Sequence, residues 1–424
     1  MRVLLSALLV LVFSQSALAD SVRAIAAEKK GFSSDRLDRL NELSQRYVDE
    51  GKLASVITMV NRGGRIVHTG VVGQRGADDD RPVKIDDLFR IYSMTKPITA
   101  VAAMQLYEQG RFSLNDPISK YVPELADLKV WHEDGTLTSP ESEITMHQLL
   151  THTAGFSYGF SPTDPVDKMY REAKLFDAKN LDEFAEKLAK LPLRYEPGER
   201  WHYSVAVDVT GLIIERLSGL PFDQYLATQI FAPLGMEDTF FDVPADKLDR
   251  FLPNHYWNKA ESKLGTIPDA TQGGAERFTN DVTLFSGGGG LVSTTHDYMR
   301  FAEMLRNGGS FEGERILSPK TIKFMTQSHL PEDASQVGTG EALNRAFRGV
   351  GFGLGFGIIL DPVETRTSGS AGSYTWGGAA GTIFWVDPVE DLIVIGMIQL
   401  MGSPWPLREE LRILTYQALT ESYE

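Results

Sequence analysis

Segments with the composition of β-strands occur near both ends of this 424-residue chain, whereas its middle is helical. The strand-like segments are rich in β-branched and aromatic residues and comprise residues 54–60, 65–72, 353–360, 381–386 and 392–399. Apolar residues at helical spacing mark residues 34–50, 99–110, 146–153, 182–191, 205–217, 222–230 and 407–420. Strands from both ends that share one core predict an antiparallel sheet flanked by helices, with an inserted helical lobe. We therefore expect a mixed α/β (α+β) fold, with a sheet domain at residues 20–95 and 285–424 and a helical domain at residues 96–284.

The first nineteen residues, 1–19, have the pattern of a secretory signal peptide. Met1 and Arg2 precede an apolar run over residues 3–13, and Ala17-Leu18-Ala19 supplies the small residues of a cleavage site. The apolar run is shorter than the roughly 20 residues that a membrane-spanning helix needs. We expect a mature chain that begins near Asp20 and is periplasmic or secreted. The alternative is an uncleaved amino-terminal anchor.

Charge and cysteine content restrict the partners of the chain. The net charge of −15 argues against nucleic acid and against an anionic membrane surface as partners. The sequence contains no cysteine, which excludes disulfides, a thiol nucleophile and cysteine-ligated zinc. We expect no membrane insertion after signal cleavage, and the sequence does not predict an oligomeric state.

Ser93 and Lys96 form the strongest chemical signal in the sequence. No other serine of the chain has lysine at the third following position. A helix is predicted from Ser93 to about Gly110, and residues three apart share a helix face, so the amine of Lys96 can reach the hydroxyl of Ser93 and act as its base. The positive end of the helix also favours a developing oxyanion. The pattern predicts a serine nucleophile, although a lone S-x-x-K also arises by chance.

Ser157 lies in a second motif, because residues 155–159 read G-F-S-Y-G and match the G-x-S-x-G form of α/β-hydrolase nucleophiles. That motif requires a strand before the serine and a helix after it. Here the preceding segment is predicted to be helical, and a proline-rich segment follows. We therefore interpret the segment as the rim of a pocket, formed by Phe156, Tyr158 and Phe160.

Two further segments place aromatic residues beside small or polar ones. Residues 201–205 read W-H-Y-S-V and directly precede a predicted helix, and residues 374–380 read Y-T-W-G-G-A-A and lead into a predicted strand. Adjacent glycines at 377 and 378 would let a substrate approach a strand backbone closely. In isolation, Tyr203 is better explained as an aromatic residue packed at a boundary between lobes.

With the S-x-x-K motif, these segments resemble the serine β-lactamase and penicillin-binding superfamily. The resemblance is closest to the class C β-lactamase-like hydrolases known as family VIII carboxylesterases. It extends from about Ser34 to about Leu419 and includes L-L-T-H-T-A-G at residues 149–155 and S-G-G-G-G-L-V-S-T at residues 286–294. It implies a β-lactamase/transpeptidase-like fold.

The resemblance also implies a role for each matching residue. Ser93 would be the nucleophile, Lys96 its base partner, and Tyr203 the general base and acid that carries the proton to the leaving group. The backbone N–H groups of Ser93 and Ala379 would form the oxyanion hole. The sequence does not decide which of Lys96 and Tyr203 takes the serine proton. The residues expected to bind substrate are Trp376, Gly377, Gly378, Tyr158 and Val205.

Two positions depart from the lactamase pattern. Trp376 begins the segment that corresponds to Lys-Thr-Gly or a relative in lactamases, and it replaces a cation that would help to hold a carboxylate. Val205 replaces the asparagine of Tyr-x-Asn, which removes an amide able to bond the acylamide of a substrate. Both changes favour neutral esters over anionic lactams and over peptides that end in D-Ala-D-Ala.

These features predict an exported serine hydrolase that cleaves short-chain carboxylic esters through an acyl-enzyme. The expected partner is a small ester or a β-lactam substrate. The alternatives are a β-lactamase or a D-stereospecific peptidase of the DD-carboxypeptidase type, an acyltransferase, and a penicillin-binding protein that acylates without turnover. We expect no cofactor and no metal, because the sequence lacks H-E-x-x-H and its eight histidines show no ligand spacing. His152 and His202 are interpreted as structural.

Overall fold

The computed structural model describes residues 24–271, 273–330 and 348–424. The predicted signal peptide, residues 1–19, lies outside the described residues. Within the described ranges, no helix has both the length and the apolar character that crossing a membrane requires.

Seventeen strands are present in the described part of the chain. They are β1 (Ser55–Arg62), β2 (Arg65–Gly76), β3 (Asp79–Pro82), β4 (Phe89–Arg90), β5 (Val130–Trp131), β6 (Leu137–Thr138), β7 (His255–Asn258), β8 (Lys263–Thr266), β9 (Val292–Ser293), β10 (Ser310–Phe311), β11 (Glu314–Arg315), β12 (Val350–Phe352), β13 (Gly357–Ile359), β14 (Tyr374–Gly377), β15 (Ile383–Asp387), β16 (Leu392–Met397) and β17 (Leu400–Met401).

The α-helices of the same residues follow in chain order. They are α1 (Ser34–Asp49), α2 (Thr95–Glu108), α3 (Met146–Leu150), α4 (Pro165–Ala173), α5 (Leu181–Leu188), α6 (Ala206–Ser218), α7 (Phe222–Leu226), α8 (Ala232–Leu234), α9 (Thr295–Arg306), α10 (Pro319–Met325), α11 (Pro362–Thr365) and α12 (Leu407–Tyr416). A π-helical stretch, Ala227–Phe231, joins α7 to α8.

An eight-stranded antiparallel sheet, in the order β12-β13-β14-β15-β16-β1-β2-β3, forms the centre of the fold. The two ends of the chain meet where β1 pairs with β16, from Ile57 opposite Met397 to Arg62 opposite Leu392. Every residue of β1 is buried, because alternate side chains enter two different cores. Val56 and Val60 pack with α1 and α12, whereas Ile57 and Met59 pack with α2 and α9. The predicted fold class is confirmed.

Helix α2 occupies the interior of the helical region. Its sequence is apolar on all sides, which is typical of a buried helix, and eleven of its fourteen residues are buried. Helix α6 packs against α2, and the alanines of α2 at 100, 102 and 103 are buried. The amino end of α2 is therefore fixed inside the molecule, and the two-domain division at residues 95 and 285 stays a prediction.

Two predicted strands have different bounds in the structure. Residues 353–360 were expected to form one strand, but β12 and β13 form a hairpin around a turn in this region. Gly355 has a φ of 89°, which favours glycine, and its N–H bonds the carbonyl of Leu150. Residues 374–377 were expected to lead into a strand, but they form strand β14 themselves.

Candidate active site

Ser93 lies in the short 3₁₀ turn that connects β4 to α2. The preceding residue, Tyr92, has a φ of 43°, which is unfavourable for a residue with a bulky side chain. The Tyr92 hydroxyl accepts a 2.8 Å hydrogen bond from Asn254 Nδ2, and its ring meets Phe278 edge-on with 5.8 Å between centroids. These contacts hold the strained backbone that presents Ser93 at the amino end of α2.

Lys96 lies one helical turn after Ser93 and is almost fully buried, with 1% of its surface exposed. Its Nζ is 3.2 Å from Ser93 Oγ, 2.6 Å from the carbonyl oxygen of Gly288 and 3.0 Å from Tyr158 OH. An ammonium group has three N–H donors. The three oxygens therefore satisfy a buried cation that would otherwise be strongly unfavourable.

Tyr203 approaches Ser93 from the loop that precedes α6. Its hydroxyl donates a 2.7 Å hydrogen bond to Ser93 Oγ. The Nζ of Lys96 lies 4.5 Å from the centre of the same ring, and Trp376 packs against the ring with 5.6 Å between centroids. The Ser93 hydroxyl thus has an amine and a phenol within hydrogen-bond reach, which is the arrangement of a serine nucleophile with adjacent bases.

Tyr158, which was predicted to contact substrate, bonds Lys96 directly. Its hydroxyl accepts the hydrogen bond from Lys96 and lies 3.5 Å from Asp208 Oδ2, to which it donates. Burial raises the pKa of Tyr158 well above its usual value, and the adjacent Asp208 and Tyr203 raise it further. Burial thus favours the neutral phenol, and the hydroxyl of Tyr158 bonds Lys96 and Asp208 rather than Ser93.

Asp208 is a buried acid that sequence reasoning did not identify. Its Oδ1 accepts hydrogen bonds from Ser286 Oγ at 2.5 Å and from the Gly288 N–H at 3.0 Å. Burial raises the pKa of this carboxyl, while the nearby Lys96 ammonium acts in the opposite direction. The sequence did carry one signal, because Asp208 is the single charged residue in the first half of helix α6. A carboxylate that is buried in such an apolar segment needs hydrogen-bonding or charged partners.

The glycine-rich segment before β9 supplies the backbone part of this network. A Cβ at Gly288 would lie 2.5 Å from Asp208 Oδ2 and 2.6 Å from Tyr158 OH. The neighbouring carbonyl of Gly287 accepts a 2.8 Å bond from Thr99 Oγ1. Glycine at 288 is thus required so that its carbonyl can reach Lys96 without displacing these two side chains.

The end of β14 lies beside the nucleophile turn. A Cβ at Gly378 would lie 2.4 Å from the carbonyl oxygen of Ile91, two residues before Ser93. The chain just after the strand therefore packs backbone to backbone against the segment that carries Ser93. The adjacent glycines at 377 and 378 were predicted to let a substrate approach, and that role stays a prediction. Ala379 follows at the exposed turn between β14 and β15.

Two residues predicted to line the pocket lie in the core instead. Val205 is 0% exposed, and so is Phe156. Val205 comes directly before α6, whose first turn is buried, so its side chain packs inward and does not reach a substrate. Phe160 is 68% exposed and stacks on Tyr158 with 4.9 Å between ring centroids.

Ser157, the serine of the G-x-S-x-G motif, is enclosed, with 1% of its surface exposed. Its hydroxyl donates to Asp167 Oδ1 and lies 3.4 Å from Nε2 of His202. In a catalytic triad the acid bonds the histidine, whereas here Asp167 bonds the serine. The strand that the motif requires is replaced by helix α3, so the segment does not have the form of an α/β-hydrolase nucleophile.

Burial disfavours the charged form of the two histidines near the motifs. Burial lowers the pKa of His152 well below its usual value, and the charge of Lys96 lowers it further. Burial likewise lowers the pKa of His202 to about 4. Among the residues that the structure describes, no group of three or more histidine and acidic side chains is arranged to hold a metal ion.

Comparison with known proteins extends over most of the chain. A family model described as Beta-lactamase matches residues 40–417. Protein Rv1367c of Mycobacterium tuberculosis (strain ATCC 25618 / H37Rv) is 35% identical over 373 residues, which cover 85% of this chain and 89% of that protein. Esterase EstB of Burkholderia gladioli is 29% identical over 397 residues, which cover 89% of this chain and 94% of EstB.

A solved structure has the same fold. It is described as EstCE1, a hydrolase with promiscuous acyltransferase activity, and superimposes with a TM-score of 0.77 at 26% sequence identity. The superposition covers 91% of this chain and 99% of EstCE1.

Proposed function

The chain belongs to the Beta-lactamase family, and on that basis we propose that it is a serine hydrolase that cleaves short-chain carboxylic esters through an acyl-enzyme. The observation that carries the proposal is the position of Ser93 Oγ, 2.7 Å from Tyr203 OH and 3.2 Å from Lys96 Nζ. The similarity to esterase EstB and to the hydrolase EstCE1 supports ester hydrolysis.

The reaction follows from these contacts. Ser93 Oγ attacks the ester carbonyl carbon while its proton passes to the pair formed by Lys96 and Tyr203. The carbonyl oxygen becomes an oxyanion, which the N–H groups of Ser93 and Ala379 would bind. Collapse expels the alkoxide, which takes the proton from the pair and leaves Ser93 acylated. Water then attacks the acyl-enzyme and gives up a proton to the same pair. The second tetrahedral intermediate collapses, the pair returns that proton to Ser93 Oγ, and the carboxylic acid leaves.

The neutral ester preference rests on Trp376. An indole at this position contacts Tyr203 and Phe352, with 5.6 and 5.2 Å between ring centroids, and supplies no charge for a substrate carboxylate. Transfer of the acyl group to an alcohol instead of water is a second candidate reaction, since EstCE1 is described as having promiscuous acyltransferase activity.

Export is also part of the proposal. It rests on the signal-peptide pattern of residues 1–19. Amino-terminal sequencing of protein recovered from the periplasm or the medium tests it, and an unprocessed amino terminus would contradict it.

Mixing the mature protein with p-nitrophenyl acetate should give steady release of p-nitrophenol, preceded by a burst if hydrolysis of the acyl-enzyme is slower than acylation of Ser93. Acid quenching and peptide mass spectrometry should find the acetyl group on the peptide that contains Ser93. A burst without turnover would instead identify a protein that acylates and stops. Formation of an ester in the presence of an added alcohol would identify the acyltransferase reaction.

The rate of ester hydrolysis should rise from mildly acidic to weakly alkaline pH. The pair of Lys96 and Tyr203 must lose one proton before it can accept another from Ser93, so the rising limb of kcat/KM reports that pair. The other titratable groups that face the pair are Tyr158, Asp208, His152 and Arg408.

Variants show which of these groups produces the rising limb of the pH profile. Lys96→Ala and Tyr203→Phe should each remove the rising limb and lower kcat by orders of magnitude. Asp208→Asn should keep the limb, because a carboxyl is not the proton acceptor of Ser93. A flat profile in the wild-type enzyme, with chemistry limiting, contradicts the mechanism, and loss of the limb in Asp208→Asn would assign it to Asp208.

A further inference from the structure

The turn between β14 and β15, residues 378–381, carries the N–H group of Ala379. The N–H of Gly381 donates to the carbonyl of Gly378 at 3.0 Å, and the N–H of Gly378 donates to the carbonyl of Thr382 at 2.9 Å. Gly378 therefore directs both of its backbone polar groups into the hairpin. The described residues contain no cis peptide bond, so the N–H of Ala379 points away from the Gly378 carbonyl and out of the hairpin.

That orientation brings the Ala379 N–H to the open side of β14. Strand β13 pairs with β14 at Tyr374 and Thr375, and Ala379 lies beyond this pairing. The same end of β14 packs against Ile91 in the segment that leads to Ser93. The orientation of the peptide between Gly378 and Ala379 thus decides which group faces the carbonyl oxygen of the substrate, the N–H of Ala379 or the carbonyl of Gly378.

Arg408, at the start of α12, binds this turn through three carbonyl oxygens. Its Nη2 donates to Gly378 and, at 2.9 Å, to Thr382. Its Nε donates to Gly381 at 3.4 Å. A guanidinium presents several N–H donors in a rigid plane, which lets this one side chain bond three carbonyls of the hairpin at once.

Gly377 provides the space for this contact. Trp376 packs on the ring of Tyr203, and strand alternation directs position 377 to the opposite face of the sheet. A Cβ at Gly377 would lie 2.8 Å from Cζ of Arg408, 2.9 Å from Nη2 and 3.0 Å from Nη1. A side chain at 377 would therefore displace the guanidinium from the turn.

We propose that Arg408 is a positioning residue of the oxyanion hole, which holds the Gly378–Ala379 peptide with the Ala379 N–H facing the reacting carbonyl oxygen. The proposal rests on the proposed function, in which Ala379 supplies that N–H. Glycine at 378 restricts the backbone weakly, so rotation of this peptide would replace the N–H by a carbonyl. The charge-assisted bond to the Gly378 carbonyl opposes that rotation and polarises the peptide, which makes its N–H a better donor.

Arg408→Met tests the proposal because methionine keeps much of the aliphatic length and loses every donor. We expect kcat for p-nitrophenyl butyrate to fall about 10- to 100-fold with KM little changed, since complete loss of one oxyanion donor lowers kcat roughly 10²- to 10³-fold. Affinity for an alkyl boronic acid, whose tetrahedral adduct on Ser93 places an oxygen in the hole, should fall by a similar factor. Arg408→Lys, with a single ammonium, should recover only part of the rate.

Gly377→Ala gives an independent route to the same defect. It should lower kcat as Arg408→Met does, and the double variant should be no slower than the slower single variant, because both act on one contact. Arg412→Gln is the matched control. This substitution removes one positive charge from α12, as Arg408→Met does. The guanidinium of Arg412 lies 4.8 Å from the ring of Trp385, so kcat should stay near the wild-type value.

The outcomes distinguish the inference from the proposed function. Wild-type protein without ester hydrolysis overturns both. An active wild type with unchanged kcat and boronate affinity in a folded Arg408→Met variant overturns the role of Arg408 alone. A rise in KM confined to esters that carry a carboxylate would also overturn it, because Arg408 would then be binding the substrate anion. Thermal melting of each variant separates these results from loss of the fold.

Discussion

Ser93→Ala should abolish ester hydrolysis, with kcat reduced on the order of 10⁴-fold or more, as expected when the nucleophile of a hydrolase is removed. Lys96 and Tyr203 both hydrogen-bond Ser93 Oγ. Alanine at this position removes the oxygen that attacks the substrate and leaves both bases without a hydroxyl to deprotonate. Turnover of p-nitrophenyl butyrate measures the effect. A fluorophosphonate should label the peptide that contains Ser93 in the wild type and should leave the variant unlabelled.

Ser157→Ala is the matched control, since it removes a hydroxyl from the other serine motif. We expect it to keep most of the activity at temperatures where it is folded. It should be less stable by about 1–3 kcal/mol, because Asp167 loses a buried hydrogen-bond donor. A folded Ser157→Ala variant without activity, or a fluorophosphonate adduct on Ser157, would show that the nucleophile has been assigned to the wrong serine.

For short p-nitrophenyl esters, kcat/KM should exceed that for penicillins by at least ~100-fold, equivalent to ~2.7 kcal/mol of transition-state discrimination. A carboxylate that is desolvated without a partner is penalised by several kcal/mol, and a neutral ester avoids this penalty. Trp376 supplies no charge, and the guanidinium of Arg408 already binds the carbonyls of Gly378, Gly381 and Thr382. Val205 does not contribute, since it is buried in the core.

A substrate panel decides this prediction. It contains p-nitrophenyl esters of increasing acyl length, a penicillin, a cephalosporin and a D-amino-acid amide. Residual lactam hydrolysis should favour cephalosporins with good leaving groups. Trp376→Lys should reduce the ratio of kcat/KM for the ester to kcat/KM for the penicillin, whereas Trp376→Phe should leave that ratio nearly unchanged. Equal or higher efficiency on the penicillin would support a β-lactamase instead of an esterase.

The sequence alone determined the parts of this protein that depend on local spacing. Ser93 and Lys96 are three residues apart at the start of a helix, and that geometry needs no other segment to bring the two groups together. The alternating and apolar segments at both ends of the chain likewise predicted one antiparallel sheet, because their buried faces require a common core. The unsuitable context of Ser157 was also visible, since the motif needs a strand and the local pattern is helical.

The structure alone decided which side chains from distant segments meet. Tyr158 was predicted to touch substrate, but its hydroxyl bonds Lys96. Asp208 accepts hydrogen bonds from Ser286 and from the N–H of Gly288. Val205 was predicted to face the cleft but is buried, because helix α6 turns its first residues toward the core. Arg408 lies 30 positions beyond Gly378 in the chain, yet it binds the carbonyl of that residue. Such contacts depend on how helices dock on the sheet, and a linear pattern carries no record of that docking.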